Sequence, residues 1–378
     1  MSNDRMERAL DQPQASVPAL PVVWLCGAPG AGKSVVAWEL FHARDDEQVA
    51  YVDIDQLKML SAEAGDSFDL AAASFTALVD AHSSFGTQAV IVSGVIDPEQ
   101  MAVLEAALRD RAEVTWILID ADDDTLEARI RERGWPDDLV EMAIAEARAW
   151  RSVPDVPRIS TSSATPSEAA KEAGDRLTPR ASTPLSPRAR VEETDVRDLV
   201  VIYGPRAVGK SAISWAVFMG CMERGEQIGY LDADQLGFVH ASTEVRDQLI
   251  RGAVESIAHV FREAGASHIL VNGNLSEALI STWGEAGATL VHLDAPIATL
   301  AERAAARHGG DAARLAGDDL KGASSDVRAA VLEQAQRQIT AYAGTRTPAY
   351  VLDVSEDDIA RHASVIRDLL SGRRVRSQ

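Results

Sequence analysis

Two stretches have the residue types and spacing to grip a phosphate chain: GAPGAGKS at 27–34 and GPRAVGKS at 204–211. In the pattern GxxxxGK[ST] the glycines let the backbone curl until successive N–H groups point inward. The helix that opens there aims its positive end at the same place. The lysine then neutralises the outer phosphates, and the Ser hydroxyl offers an oxygen to Mg²⁺. The first cradle is Gly27, Gly30, Gly32, Lys33 and Ser34; the second is Gly204, Gly209, Lys210 and Ser211. Only five lysines occur in the 378 residues, and two of them are these. Nucleotide binding is the expected use.

Paired acids follow each cradle, Asp53 and Asp55 in VDID and Asp232 and Asp234 in LDAD. At a strand end beside the phosphates, one carboxylate can organise Mg²⁺ and its water, while the other accepts the proton of an attacking hydroxyl. The competing reading is that each pair only caps the next helix. Further on, Arg129 and Arg133, like Arg303 and Arg307, stand four residues apart on one helix face. They are suited to neutralise charge on a transferred group, or else to pair with neighbouring glutamates. Each third strand ends in glycine, Ser93-Gly94 and Asn272-Gly273, without the strand-tip acid of a typical Walker B motif. Those glycines suit a close ligand approach or a simple strand end. There is no NKxD motif to read guanine. A hydrolysis-driven motor and a GTPase are both disfavoured.

The elements that must position these residues are written twice. Trp38 and Trp215 each fall five residues after their P-loop lysine, and YVDIDQL at 51–57 matches YLDADQL at 230–236. AVIVSGV at 89–95 matches HILVNGN at 268–274, and 114–133 matches 288–307. The offsets stay between 174 and 179 residues, as a doubled unit requires. In each copy short β-branched runs alternate with alanine-rich stretches of helical period, which predicts α/β domains with parallel sheets. The strands are expected near 21–26, 49–53, 89–93, 114–119 and 156–160, then near 199–203, 228–232, 268–272, 288–293 and 349–353. The predicted organisation is a tail at 1–18, a first P-loop domain at 19–177, a linker at 178–197, a second P-loop domain at 198–371 and a tail at 372–378. From Arg307 to Pro348 the chain runs 17 residues longer than from Arg133 to Pro157. This longer second lid, glycine-rich and carrying Arg314 and Lys321, is expected to close over a substrate.

Composition narrows the partners. The net charge is −21, with −17 of it in residues 1–177, and such a surface repels nucleic-acid backbones. No run of apolar residues is long enough to span a bilayer, and the polar start MSNDRMERALDQPQ predicts a cytoplasmic protein. Cys26 and Cys221 have no CxxC or clustered-histidine context and are expected to be buried free thiols.

Taken in order, P-loop, Asp-x-Asp after the second strand, a strand ending in glycine, then an arginine-bearing helix and lid, the chain resembles the P-loop small-molecule kinases. These include the shikimate, gluconate and adenylylsulfate kinases, and the resemblance covers nearly all of both halves. It implies a five-stranded parallel sheet flanked by helices in each half, ATP·Mg²⁺ as donor, and a hydroxyl-bearing small molecule as acceptor. It further implies Asp53 and Asp232, with Ser34 and Ser211, as the metal side, Asp55 and Asp234 as the acceptor-side base, and Arg133 and Arg307 as lid arginines. No acceptor-binding motif of any one such enzyme is present. The alternative is an ATP-binding sensor without an acceptor, its halves paired within one chain or between chains.

Overall fold

The computed structural model describes residues 18–45, 47–61, 67–181, 195–309, 320–343 and 349–371. Most of the expected linker, the expected tails except residue 18, and Arg314 of the second lid lie outside the described residues.

All ten expected strands are present. The first half contains β1 (Leu20–Cys26), β2 (Val49–Asp53), β3 (Ala89–Ser93), β4 (Ala112–Asp120) and β5 (Arg158–Ser160). The second contains β6 (Leu199–Tyr203), β7 (Ile228–Asp232), β8 (His268–Asn272), β9 (Thr289–Asp294) and β10 (Tyr350–Asp353). β4 begins two residues earlier than its apolar run suggests, because Leu20 and Pro21 of β1 continue the ladder to Ala112 and Glu113. The sheets run β2-β3-β1-β4-β5 and β7-β8-β6-β9-β10, the same order in each half, and every pairing within them is parallel. Both halves are therefore α/β domains of P-loop architecture. The central strands β1 and β6 are almost wholly buried, which is why they read as continuous apolar runs rather than as alternation.

Helices cover the sheets with ends dictated by local sequence. Pro166–Gly174 opens in a capping box, Thr165 with Glu168, and Ser242 and Ser276 cap Thr243–Glu263 and Glu277–Glu285. Trp24 anchors the first core, its ring 5.1 Å from both Phe75 and Trp116.

An open parallel sheet ends in an edge strand whose N–H and C=O groups need partners. In each half that edge, β2 or β7, is met by the other half. The amide of Tyr51 donates to the carbonyl of Phe238 at 2.9 Å, and the amide of Tyr230 donates to the carbonyl of Met59 at 2.9 Å. Met59 and Phe238 are the same position of the doubled unit, so the exchange is reciprocal and the halves are related by a pseudo-twofold. Ser61 extends it: its amide donates to Ile228 O at 2.9 Å, its hydroxyl donates to Glu226 O at 2.5 Å, and it accepts from Ile228 N at 2.8 Å. On the other side Phe238 meets Trp38 at 4.9 Å, and His240 stacks on Phe41 at 4.0 Å while hydrogen-bonding its carbonyl at 2.8 Å. Helices Ser67–Ser84 and Thr243–Glu263 pack against each other below, and Gly252 gives Phe85 room: a Cβ there would lie 3.0 Å from its ring. One apolar cluster consequently runs from Phe75 and Leu78 through Ala253 and Ile257.

Phe238→Ala removes the aromatic bridge to Trp38 and Tyr51. Because Phe238 is only partly buried, a loss of roughly 2 kcal/mol is expected, at the low end for truncating a large apolar side chain. Calorimetry of the full chain should show the melting temperature falling by about 2–4 °C. A variant that melts with the wild type would show that the halves do not pair in solution.

Candidate functional site

Each cradle curls as its glycines require. Gly27, Gly30 and Gly32 have φ of 133°, 83° and 96°, and Gly204, Ala207 and Gly209 have 154°, 63° and 101°. Ala207 thus holds a left-handed conformation that glycine holds in the first copy, a strain of about 1 kcal/mol or more. Inside the first loop the buried Lys33 ammonium donates to Gly27 O at 2.6 Å and Ala28 O at 2.9 Å. Lys210 repeats this with Gly204 O at 3.0 Å and Pro205 O at 3.1 Å, and adds Asn274 Oδ1 at 3.1 Å. Burial pushes both lysines down, Lys210 to about 8, and nearby carboxylates oppose the shift.

The capping role open to the paired acids is seen in both halves. Asp53 Oδ1 accepts from Asp55 N at 3.0 Å and Asp232 Oδ1 from Asp234 N at 3.0 Å, so one oxygen of each caps the turn that follows. In the second half the other oxygen, Asp232 Oδ2, accepts from Ser211 Oγ at 3.5 Å. In the first half Ser34 is linked through Ser93, its Oγ 3.5 Å away, to the hydroxyl of Tyr51 at 2.9 Å from Ser93. Burial, then repulsion from Asp55, raises Asp53 to about 6; burial and Asp234 raise Asp232 to about 7. A carboxyl so discouraged from ionising is one that a cation would rescue. The exposed Ser34 hydroxyl and Asp53, or Ser211 and Asp232, supply the hard oxygen donors that Mg²⁺ prefers. At Gly32 a Cβ would meet nothing nearer than 3.8 Å, which leaves the mouth of the loop open to a phosphate.

Gly94 has a use that the strand ending alone did not reveal. A Cβ there would sit 2.5 Å from Ile54 Cγ2, 2.9 Å from Asp53 Oδ1 and 3.2 Å from Asp55 Oδ2, so glycine makes space for the whole acid-bearing turn. The Val95 amide then donates to Asp55 Oδ2 at 3.2 Å, and Lys58 pairs with Asp55 Oδ1 at 2.5 Å. In the second half Arg246 takes Asp234 Oδ1 at 3.0 Å.

The arginines divide. Arg129 reaches Gly30 O at 3.2 Å, Thr161 Oγ1 at 3.0 Å and Thr161 O at 2.8 Å. Arg303 likewise joins Val208 O at 2.8 Å to Val354 O at 2.6 Å. Both brace a P-loop against the turn after the last strand. Arg133 instead lies over the Trp135 ring at 5.5 Å, and Arg307 stands one turn beyond Arg303 at the end of Ile297–Gly309. The inner arginine of each pair touches the cradle.

Sequence reasoning missed Glu146, on helix Asp137–Arg151. Burial raises its carboxyl to about 7 against the pull of Lys33, with Asp97 and Asp55 adding repulsion. Arg151 fixes this helix to β4 through Asp120, at 2.9 and 3.1 Å, and Asp123 at 2.7 Å. The matching helix, Ser325–Ala343, carries Gln338 at that place, and its Oε1 accepts from Arg206 N at 2.8 Å. Aligning Trp150 with Tyr342 would have exposed the pair.

Residues 22–154 match a family profile described as an AAA domain. That span runs from β1 through the first P-loop and the acids to Glu146 and its helix. Among solved structures, the chain is similar to a sugar kinase from a Janibacter species, 19% identical, covering 41% of this chain and 92% of that one with a TM-score of 0.31. It is similar to the Deinococcus radiodurans tunicamycin resistance protein, 19% identical over 43% and 99% with a TM-score of 0.34. A Sinorhizobium meliloti gluconokinase is 17% identical over 47% and 95%, with a TM-score of 0.29. No protein of curated function matches the sequence.

Glu146 gives a pH test. A carboxyl whose folded pKa is raised stabilises the fold below its unfolded value and loses that contribution as pH rises through the folded one, here from about 4.5 to about 7. Glu146→Gln without nucleotide should melt with the wild type at pH 5. At pH 8 it should be more stable by roughly 1 kcal/mol, a figure discounted for the partial exposure of Glu146. Equal melting at both pH values would show that Glu146 faces water.

Proposed function

We propose that the chain is an ATP-dependent phosphotransferase that moves the γ-phosphoryl group of ATP to a hydroxyl of a small metabolite or antibiotic-like molecule. The observation that carries this reading is the placement of two carboxylates, Asp53 at the end of β2 and Asp55 in the turn after it, within electrostatic reach of the buried Lys33. A phosphate-binding loop alone would need neither. Phosphoryl transfer asks little more of a protein than geometry and charge.

The loop amides and Lys33, with their counterparts around Lys210, hold the phosphates. Mg²⁺ would be held by Ser34 with Asp53, or Ser211 with Asp232, and when bound it supplies neutralisation of phosphate charge. Asp55 or Asp234 orients the acceptor hydroxyl and takes its proton as that oxygen bonds to Pγ. The bond from Pγ to the β,γ-bridging oxygen breaks, and ADP leaves with the electron pair. Arg133 and Arg307 would come over the phosphates when the lid closes. The net charge of −21 favours a small acceptor over nucleic acid. The four corresponding segments in each half point to a doubled unit, and no helix of the described residues is long and apolar enough to cross a membrane. A cytoplasmic setting suits such an enzyme.

A second reading, an ATP-binding sensor with no acceptor, is favoured by Asp234, whose carboxylate is already engaged by Arg246 and Asn274. The two readings separate on Asp55→Asn and Asp234→Asn, assayed for ADP release from Mg·ATP against a panel of sugars, cyclitols, nucleosides and aminoglycosides. Loss of a general base should reduce acceptor-dependent turnover by about 10²–10⁴-fold while ATP affinity holds. Absence of any acceptor-dependent ADP release in the wild type, with ATP still bound, would replace the transferase by the sensor.

A further inference from the structure

The two cradles share one backbone path and differ in the side chains around the lysine. An ammonium group has three protons to donate. Lys33 spends two, on Gly27 O and Ala28 O. Lys210 makes the same two bonds and gives its third proton to Asn274 Oδ1 at 3.1 Å.

Asn274 continues into the acid. Its Nδ2 donates to Asp234 Oδ2 at 2.7 Å, and its amide lies 3.1 and 3.0 Å from the two carboxylate oxygens. With Arg246 on Oδ1, Asp234 is surrounded by donors. The side-chain amide has only one orientation that serves both neighbours, oxygen toward the ammonium and nitrogen toward the carboxylate. It ties the phosphate-binding lysine to the acceptor-side acid. The first half has Val95 at this position. Its amide makes the same backbone bond to Asp55, but an isopropyl group can join neither Lys33 nor Asp55.

The lid helices differ in the same sense. Gln338 is occupied by the amide of Arg206, an N–H that the first loop lacks because Pro29 stands there. Glu146 lies within electrostatic reach of Lys33, Asp97 and Asp55, and its Oε1 is buried without a hydrogen-bond partner among the described residues.

We propose that the two halves divide the work: the first, with Lys33, Asp55 and Glu146, transfers the phosphoryl group, while Asn274 latches the second by joining Lys210 to Asp234. This rests on the phosphotransferase reading. In the first half the acceptor oxygen bonds to Pγ, the bond to the bridging oxygen of ADP breaks, and the hydroxyl proton passes to Asp55. Nucleotide entering the second half must first draw Lys210 away from Asn274. That half binds nucleotide weakly and serves chiefly to complete the first half's edge. The longer second lid, expected from its length, glycines and cations to close over substrate, belongs to the latched half.

The test is calorimetric titration of the full chain with the magnesium complex of β,γ-imido-ATP. The wild type should show one tight site and one at least about tenfold weaker, and Lys33→Ala should remove the tight one. Asn274→Val should bring the weak site to within about threefold of the tight one. Val95→Asn transplants the latch onto an exposed position and should weaken the tight site by about tenfold. Melting curves confirm that each variant is folded, and either transplant alone decides the matter if the other fails to fold. Two equal sites in the wild type, unmoved by N274V and V95N, would overturn the division of labour and leave the transferase standing. Loss of the tight site in Lys210→Ala rather than Lys33→Ala would also overturn it. No nucleotide bound by the wild type would overturn the transferase reading and this inference with it.

Discussion

The reciprocal closure of two sheet edges is the constraint from which the rest of the structure follows. β2 and β7 each end a parallel sheet, and each leaves a row of backbone groups that water or another strand must satisfy. Here the covering strand comes from the turn immediately after the other half's paired acids. Met59 lies only four residues beyond Asp55, and Phe238 four beyond Asp234. The tip carrying the candidate base is therefore anchored at one end by its own strand and at the other by a foreign one. Two-point attachment fixes a carboxylate beside a phosphate cradle more firmly than a free loop could, and positioning is what phosphoryl transfer demands.

The sheets were legible in the sequence because burial on both faces gives parallel strands an apolar signature that survives divergence between copies. The strand run AVIVS of one half and HILVN of the other differ in most residues yet share that character. Cradles and paired acids were legible because their chemistry needs particular residue types at fixed spacing; the arginine pairs were legible as pairs, but the bracing by their inner members was not, since backbone carbonyls carry no side-chain code. The exchange across the edges was not, since Ala50 pairing with Val239 and Leu60 with Gly229 are single backbone bridges with no side-chain code. Glu146 was hidden for a different reason. The lid helices are displaced by the length difference between the halves, so its alignment with Gln338 breaks the constant offset that revealed every other correspondence. Asn274 stood in plain view opposite Val95. Its meaning depended on a lysine and an aspartate 64 and 40 residues away arriving at its two ends.

The arginine pairs show how a functional pattern and a structural one can share a helix face. Arg129 and Arg303 point at the loops, as charges meant for phosphate would, but their protons go to carbonyls of the P-loop and of the turn after β5 or β10. Five donors in a rigid plane make arginine suited to such bracing. The cradle keeps its shape because carbonyls that would otherwise face solvent are held from outside. Its amides are left pointing in.

The same edge constraint explains why a half can lose phosphate chemistry without losing its fold. The second half must present Phe238, Val239 and His240 to β2 and pack Thr243–Glu263 against Ser67–Ser84; nothing in those contacts requires a free lysine or an open carboxylate. Its loop carries Arg206 and Ala207 where the first has Pro29 and Gly30. Ala207 holds φ 63°, and the extra N–H of Arg206 is satisfied locally by Gln338. Substitutions that fill a phosphate site with internal partners are stabilising to the empty domain, because they satisfy buried polar groups that would otherwise await a ligand. They accumulate at no cost to the interface. A second half that did not depend on nucleotide for its fold would hold Met59, four residues beyond Asp55, on its edge strand in either state.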